Sequence, residues 1–155
     1  MLTKELPASD FTPTPHSFAR LMDMYESNYI RLRLLCGNIH NLPDHQVSHI
    51  EGGVPLSITT TERTAHTTTI ILTYLFTDSN ITLRRPDLVV RIYHDARQAE
   101  VISRHCHISN QRLRPWQQKV DSVLLCRWRL NRFLYKWSRY LYRQGHQFKL
   151  IKPQQ

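Results

Sequence analysis

Only four glycines occur among the 155 residues: Gly37, Gly52, Gly53 and Gly145. That scarcity removes the P-loop and the GxGxxG dinucleotide fingerprint, both of which need glycines at fixed spacing so that backbone amides can approach a phosphate. No GxSxG or HExxH signature is present either. Ordinary cofactor enzymes are thereby disfavoured, and the sequence calls for no cofactor and names no catalytic residue. Cysteine is scarce as well. Cys36, Cys106 and Cys126 stand at wide spacings that make no CxxC pair and no disulfide framework, which suits a reducing compartment. The longest apolar run, around Ile70 to Phe76, is interrupted by Thr73 and falls far short of the ~20 residues of a membrane span. Met1 to Phe11 lacks the basic start and apolar run of a signal peptide. The expectation is a cytoplasmic protein with no membrane insertion.

Acidic residues are missing from one end of the chain. After Asp121 there is none, while Arg127, Arg129, Arg132, Lys136, Arg139, Arg143, Lys149 and Lys152 supply eight positive charges of a net +9. The stretch Asp121 to Gln144 reads as one long helix. At about 100° per residue, Arg129, Arg132, Lys136, Arg139 and Arg143 share one arc. Val123, Cys126, Leu130, Phe133, Leu134, Trp137 and Leu141 repeat at the i, i+3, i+4, i+7 spacing of a face that buries itself. Beside the cationic arc, Trp128, Tyr135 and Tyr142 share a third sector with Asn131 and Ser138.

A first helix is expected from Thr14, as cap, and Pro15, at the first helical position, to Cys36, with Gly37 closing it. Its apolar stripe is Phe18, Leu21, Met22, Tyr25, Tyr29, Leu32, Leu35 and Cys36; Asn28 projects inside that stripe and needs hydrogen-bond partners. From Asp44 the period changes to two. Gln46 to Ile50 and Val54 to Glu62 read as strands joined at Gly52-Gly53. Thr67 to Phe76 follows, then, after Pro86, Leu88 to His94 and Gln98 to Arg104 around the turn Asp95-Ala96-Arg97. Five strands with short turns predict an antiparallel meander. With helices at both ends, the fold class is α+β: a flexible arm over 1–13, a single domain over 14–146 and a basic tail over 147–155.

Leu-Met-Asp-Met-Tyr-Glu-Ser-Asn-Tyr at 21–29, Val-Arg-Ile-Tyr-His-Asp-Ala at 90–96 with Ala-Glu-Val at 99–101, and Leu-Asn-Arg-Phe-Leu-Tyr-Lys-Trp at 130–137 follow one another along the chain. In that order and spacing they resemble the YqiB-like family, small bacterial proteins with a domain of unknown function. The resemblance covers roughly residues 17–145, and Arg-Ile-Tyr-His-Asp-Ala is its most specific piece. It implies the same fold and a bacterial cytoplasmic setting, and no activity. The family pattern carries an acidic pair and a Lys ahead of the Asn at 131, where this chain has Leu125, Cys126 and Arg127. The helix is therefore more basic than the resemblance implies.

Two clusters are candidates for chemistry. Arg91, Tyr93, His94, Asp95 and Glu100, joined by Asn28, form a polar set around the 91–100 hairpin. A His near a carboxylate can act as a general base. The structural account of the same residues pairs Arg91 with Glu100 across strands, gives Asp95 to the turn and leaves His94 a hydrogen-bonder at a strand end. His105-Cys106-His107 and His45 with His49 carry no recognised zinc spacing, and no metal site is expected. The other cluster is the cationic helix. Arg129, Arg132, Lys136, Arg139 and Arg143 would contact phosphates while Trp128, Tyr135 and Tyr142 stack on unpaired bases. The leading expectation is a non-enzymatic binding module for a polyanion such as RNA or single-stranded nucleic acid. The alternatives are a small-molecule site or enzyme at the polar set, an acidic protein partner or membrane surface at the cationic helix, or a solvated face whose Arg stems cover apolar surface.

Overall fold

In the computed structural model, which describes residues 17–102 and 116–148, the first element starts at Ser17. Its hydroxyl accepts a hydrogen bond from the Arg20 backbone N–H at 3.3 Å and caps helix α1 (Phe18–Cys36). The cap therefore belongs to Ser17 and not to Thr14, which with Pro15 lies outside the described residues. Gly37 ends the helix as expected, at φ +74°, with its N–H donating to the Arg33 carbonyl at 2.9 Å. Leu21, Tyr25, Asn28, Tyr29, Leu32, Leu35 and Cys36 are buried, so the expected stripe holds except at Met22, which is half-buried, and Phe18, which is 62% exposed.

Five antiparallel strands follow in simple sequence order: β1 (His45–Ser48), β2 (Leu56–Arg63), β3 (Thr67–Asp78), β4 (Ile81–Tyr93) and β5 (Gln98–Val101). The meander matches the expectation from period and turns. Ser79 and Asn80 make the tight β3–β4 turn at φ +51° and +71°, the conformation that a two-residue hairpin loop demands. Strand β4 starts earlier than expected and runs through Pro86. The β3–β4 register shifts between Leu72 and Tyr74, opposite Pro86, where a residue without an N–H costs no ladder bond.

Helix α2 (Trp116–Gln144) begins five residues before Asp121 and packs against both α1 and β5. One core joins Leu56, Ile58, Ile70, Leu72, Val90, Ile92, Ala99 and Val101 of the sheet to Leu32 and Leu35 of α1 and Leu134, Trp137 and Leu141 of α2. Packing on two partners rotates the buried face of α2 away from its most apolar arc. Trp128, Asn131 and Ser138 are buried, whereas Phe133, expected in the core, is 42% exposed. After Gly145 the chain stays packed: His146 is buried with its Nδ1 2.9 Å from Ser48 Oγ, and the Phe148 N–H donates to the Leu35 carbonyl at 3.2 Å. The packed chain thus reaches two residues into the segment expected as a tail.

Cys36 is a free, fully buried thiol whose pKa burial pushes up to about 12. Cys126 is disulfide-bonded, although the cysteine spacings offered no disulfide framework and no CxxC pair. The architecture is an α+β domain of two helices on an open antiparallel sheet. Among the described residues no helix is long and apolar enough to cross a membrane.

Candidate functional site

The exposed side of α2 carries the charge. Arg129, Arg132, Lys136 and Arg143 are exposed, and none of the four enters an ion pair among the described residues. Arg139, half-buried, lies with its guanidinium 5.5 Å from the centre of the Tyr135 ring, and Arg31 of α1 lies 5.5 Å from the same ring. Tyr135 is held by these two cations instead of being offered to solvent. Trp128, expected beside the arc, is 5% exposed and packs with Leu21 and Tyr25, because the helix turns this sector onto α1. Tyr142 remains 41% exposed. The sequence reading missed two further aromatics, Phe133 and Tyr140, which are 42% and 53% exposed. By helical angle they follow Arg129 on the far side of the arc. The missed signal was Asn131 and Ser138, whose polarity hid the true core direction.

The polar set around the 91–100 hairpin separates into distinct environments. The Tyr93 hydroxyl donates to Glu100 Oε1 at 2.6 Å, and Arg127 Nη1 stands 3.6 Å from Glu100 Oε2. Tyr25 joins them from α1. Burial, with the hydrogen-bonded Glu100 carboxylate adding to it, pushes its hydroxyl up to about 12. Burial first, then Glu100, also raises the Tyr93 pKa. This quartet lines a cleft of about 410 Å³ walled by Phe18, Leu21, Met22 and Leu124. Arg91, directly opposite Glu100 in the register, turns to Thr69 Oγ1 at 3.5 Å, so the expected Arg91–Glu100 pair is replaced by Arg127–Glu100. A residue on a distant helix takes the carboxylate, which strand register alone could not show.

His94 and Asp95 face a different concavity. His94 Nε2 lies 2.8 Å from Thr68 Oγ1, its ring stacks on His40 with centroids 4.3 Å apart, and burial followed by His40 lowers its pKa. Asp95 pairs with His66 at 2.9 Å and not with His94. Both residues line a groove of about 950 Å³ together with Arg33, His40 and Arg97. Asn28 lies in neither concavity. It is fully buried between the helices, donating to the Asn131 carbonyl at 3.2 Å. The six residues expected as one polar site therefore do not converge. His45 stands on β1 with its Nδ1 3.0 Å from Thr59 Oγ1, so it shares no helical face with His49; His105 and His107 lie outside the described residues. Among the described residues no group of three or more His, Cys, Asp or Glu could hold a metal ion.

The three stretches that carry the sequence resemblance meet at the quartet and beside it: Tyr25 and Asn28 from the first, Tyr93 and Glu100 from the second, Asn131 from the third. A family model described as a protein of unknown function (DUF1249) matches residues 31–147. The chain belongs to this family. Membership in DUF1249 brings no activity with it. Comparison with curated proteins and with solved structures gives no match.

Proposed function

We propose that this DUF1249 member is a binding module whose α2 surface engages a polyanion, with single-stranded RNA the best fit. One observation carries the reading: Arg129, Arg132, Lys136 and Arg143 lie exposed on one helix face with no acidic partner among the described residues. Unpaired cations in a row attract phosphates at that spacing, and guanidiniums grip them in bidentate fashion. Tyr142, Tyr140 and Phe133 flank the row, exposed enough to stack on unpaired bases. Trp128 has no part in this version, and Tyr135 serves by orienting Arg31 and Arg139. Four phosphate contacts on a single strand give a log–log salt slope of roughly −3, so affinity falls roughly fiftyfold between ~50 and ~200 mM salt. Fluorescence anisotropy of a labelled single-stranded RNA, with wild type and an Arg132→Glu, Lys136→Glu variant, tests this. Binding that is insensitive to salt, or equal in the two proteins, sinks the proposal.

A second reading rests on the cleft where Tyr25, Tyr93, Glu100 and Arg127 meet between apolar walls. It is a small-molecule site for a ligand that is mostly apolar and carries one hydrogen-bonding group. Protein-observed NMR against a fragment set, with Glu100→Gln as control, tests it. Shifts scattered away from the cleft would count against it.

A further inference from the structure

The far half of the β3–β4 hairpin stands clear of the domain. Strand β2 pairs with β3 only as far as Tyr74, with one further bond from the Leu75 N–H to the Pro55 carbonyl, and β5 pairs with β4 only from Val90 to Tyr93. Among the described residues, 76–85 therefore form a two-stranded ribbon whose strands bond only to each other. Such a ribbon is marginal in water unless one of its faces is covered.

Register fixes what that face presents. Tyr74 lies opposite Arg85, Phe76 opposite Leu83, and Asp78 opposite Ile81. Directly opposed residues share a face, and alternation along β3 makes it the continuation of the face that carries Ile70 and Leu72 in the core. Tyr74 anchors the base of the ribbon, its ring edge-on to Trp137 at 5.4 Å and to Phe76 at 5.6 Å. Beyond it the apolar surface is open: Phe76 is 38%, Leu83 41% and Ile81 61% exposed. A contiguous exposed patch of this kind marks an interaction site. Two of its three open members are aliphatic, which suits a protein surface and not stacked bases.

We infer that this ribbon face docks on the same face of a second copy of the chain. A two-fold interface must be complementary to itself. Here the charges meet that condition, because the acidic residue, Asp78, sits at the tip and the basic one, Arg85, at the base of the same face. Neither enters an ion pair among the described residues. Apposing two ribbons tip to base sets each Asp78 against Arg85 of the second copy and closes Phe76, Leu83 and Ile81 upon their equivalents. A patch this small gives a weak, concentration-dependent dimer.

Sedimentation velocity from ~1 to ~200 μM, the range in which small interfaces associate, tests the inference on the full chain. Wild type is expected to shift from monomer to dimer, and Leu83→Glu to remain monomeric. Asp78→Arg and Arg85→Asp, each placing like charges together twice, are each expected to weaken association by about tenfold or more. An equimolar mixture of those two variants restores both ion pairs across the interface and is expected to associate like wild type. That rescue separates docking from misfolding, since each chain in the mixture is still a single variant. A wild type monomeric throughout the range, or a mixture no better than its components, overturns the inference.

Discussion

The side chains of Asn28 and Asn131 meet between the two helices, and through Asn131 they close an open edge of the sheet. Asn131 Oδ1 accepts the Val101 backbone N–H at 2.8 Å, while its Nδ2 donates to the Arg127 carbonyl at 2.8 Å and Asn28 Nδ2 donates to the Asn131 carbonyl at 3.2 Å. Among the described residues β5 has no further strand beside it, so the outward amide of Val101 would otherwise lack a partner there. Helix α2 thus seals the sheet edge with a side chain.

Asn131→Ala removes that acceptor while leaving Val101 buried. Orphaning a buried donor costs about 1–3 kcal/mol, and the Asn28 amide loses support as well. Urea unfolding is expected to show a loss of about 2–4 kcal/mol, compared with under ~0.5 kcal/mol for an exposed control such as Arg132→Ala. Equal stability for Asn131→Ala and wild type would mean that water replaces the side chain.

The aromatic residues of α2 divide into two kinds that mutation separates. Trp128→Ala empties a packed site beside Leu21 and Tyr25 and is expected to cost about 3–5 kcal/mol, with RNA affinity changing only as the folded fraction does. Tyr142→Ala is expected to leave the melting temperature nearly unchanged. If the α2 surface binds single-stranded RNA, it weakens binding by the ~1–3 kcal/mol of one stacked base. A Trp128→Ala protein that melts like wild type would place this residue on the surface after all.

Gly37 offers a cleaner test of backbone conformation. A Cβ added there meets only the Phe148 carbonyl oxygen, at 3.8 Å, so space is no obstacle. The φ of +74° is the obstacle, and Gly37→Ala is expected to destabilise by about 1–2 kcal/mol from conformation alone. With ψ at −121° the residue lies outside the left-handed helical region that Asn tolerates, so Gly37→Asn is expected to cost at least as much as Gly37→Ala in the same denaturation series. A Gly37→Ala protein as stable as wild type would refute the assignment of the cost to backbone conformation.

What could be read from the sequence was whatever depends on neighbours along the chain. The change of period at Asp44, the Gly37 stop and the turns at Gly52-Gly53 and 95–97 placed two helices and five strands in their correct order. Burial patterns that depend on distant partners could not be read. The orientation of α2 followed hydrophobicity in the sequence, whereas in the fold Asn131 and Ser138 are both buried, and Asn131 is bonded to α1 and β5. Asn28 was placed correctly inside its stripe, yet its partner lay 103 residues away. Glu100 was paired with its register neighbour Arg91, while the residue that takes it is Arg127, on a helix that no local rule brings to β5.

Acid should weaken the fold through two histidines. His146 is buried against Ser48, and burial lowers its pKa; His94 is lowered in the same direction by burial and by the neighbouring His40. The unfolded chain titrates these imidazoles near 6.5 while the folded chain keeps them neutral to lower pH, so below about 6.5 the unfolded state binds more protons. Stability is therefore fully present above that value and falls as pH drops towards the folded-state pKa values. Thermal unfolding between pH 7.5 and pH 5 should show the midpoint declining most steeply below ~6.5. His146→Gln keeps a polar group beside Ser48 but cannot titrate, so its slope over the same interval is expected to be shallower even if its midpoint at pH 7.5 is lower. A variant with the full wild-type slope would remove His146 from the linkage and leave His94 to account for it.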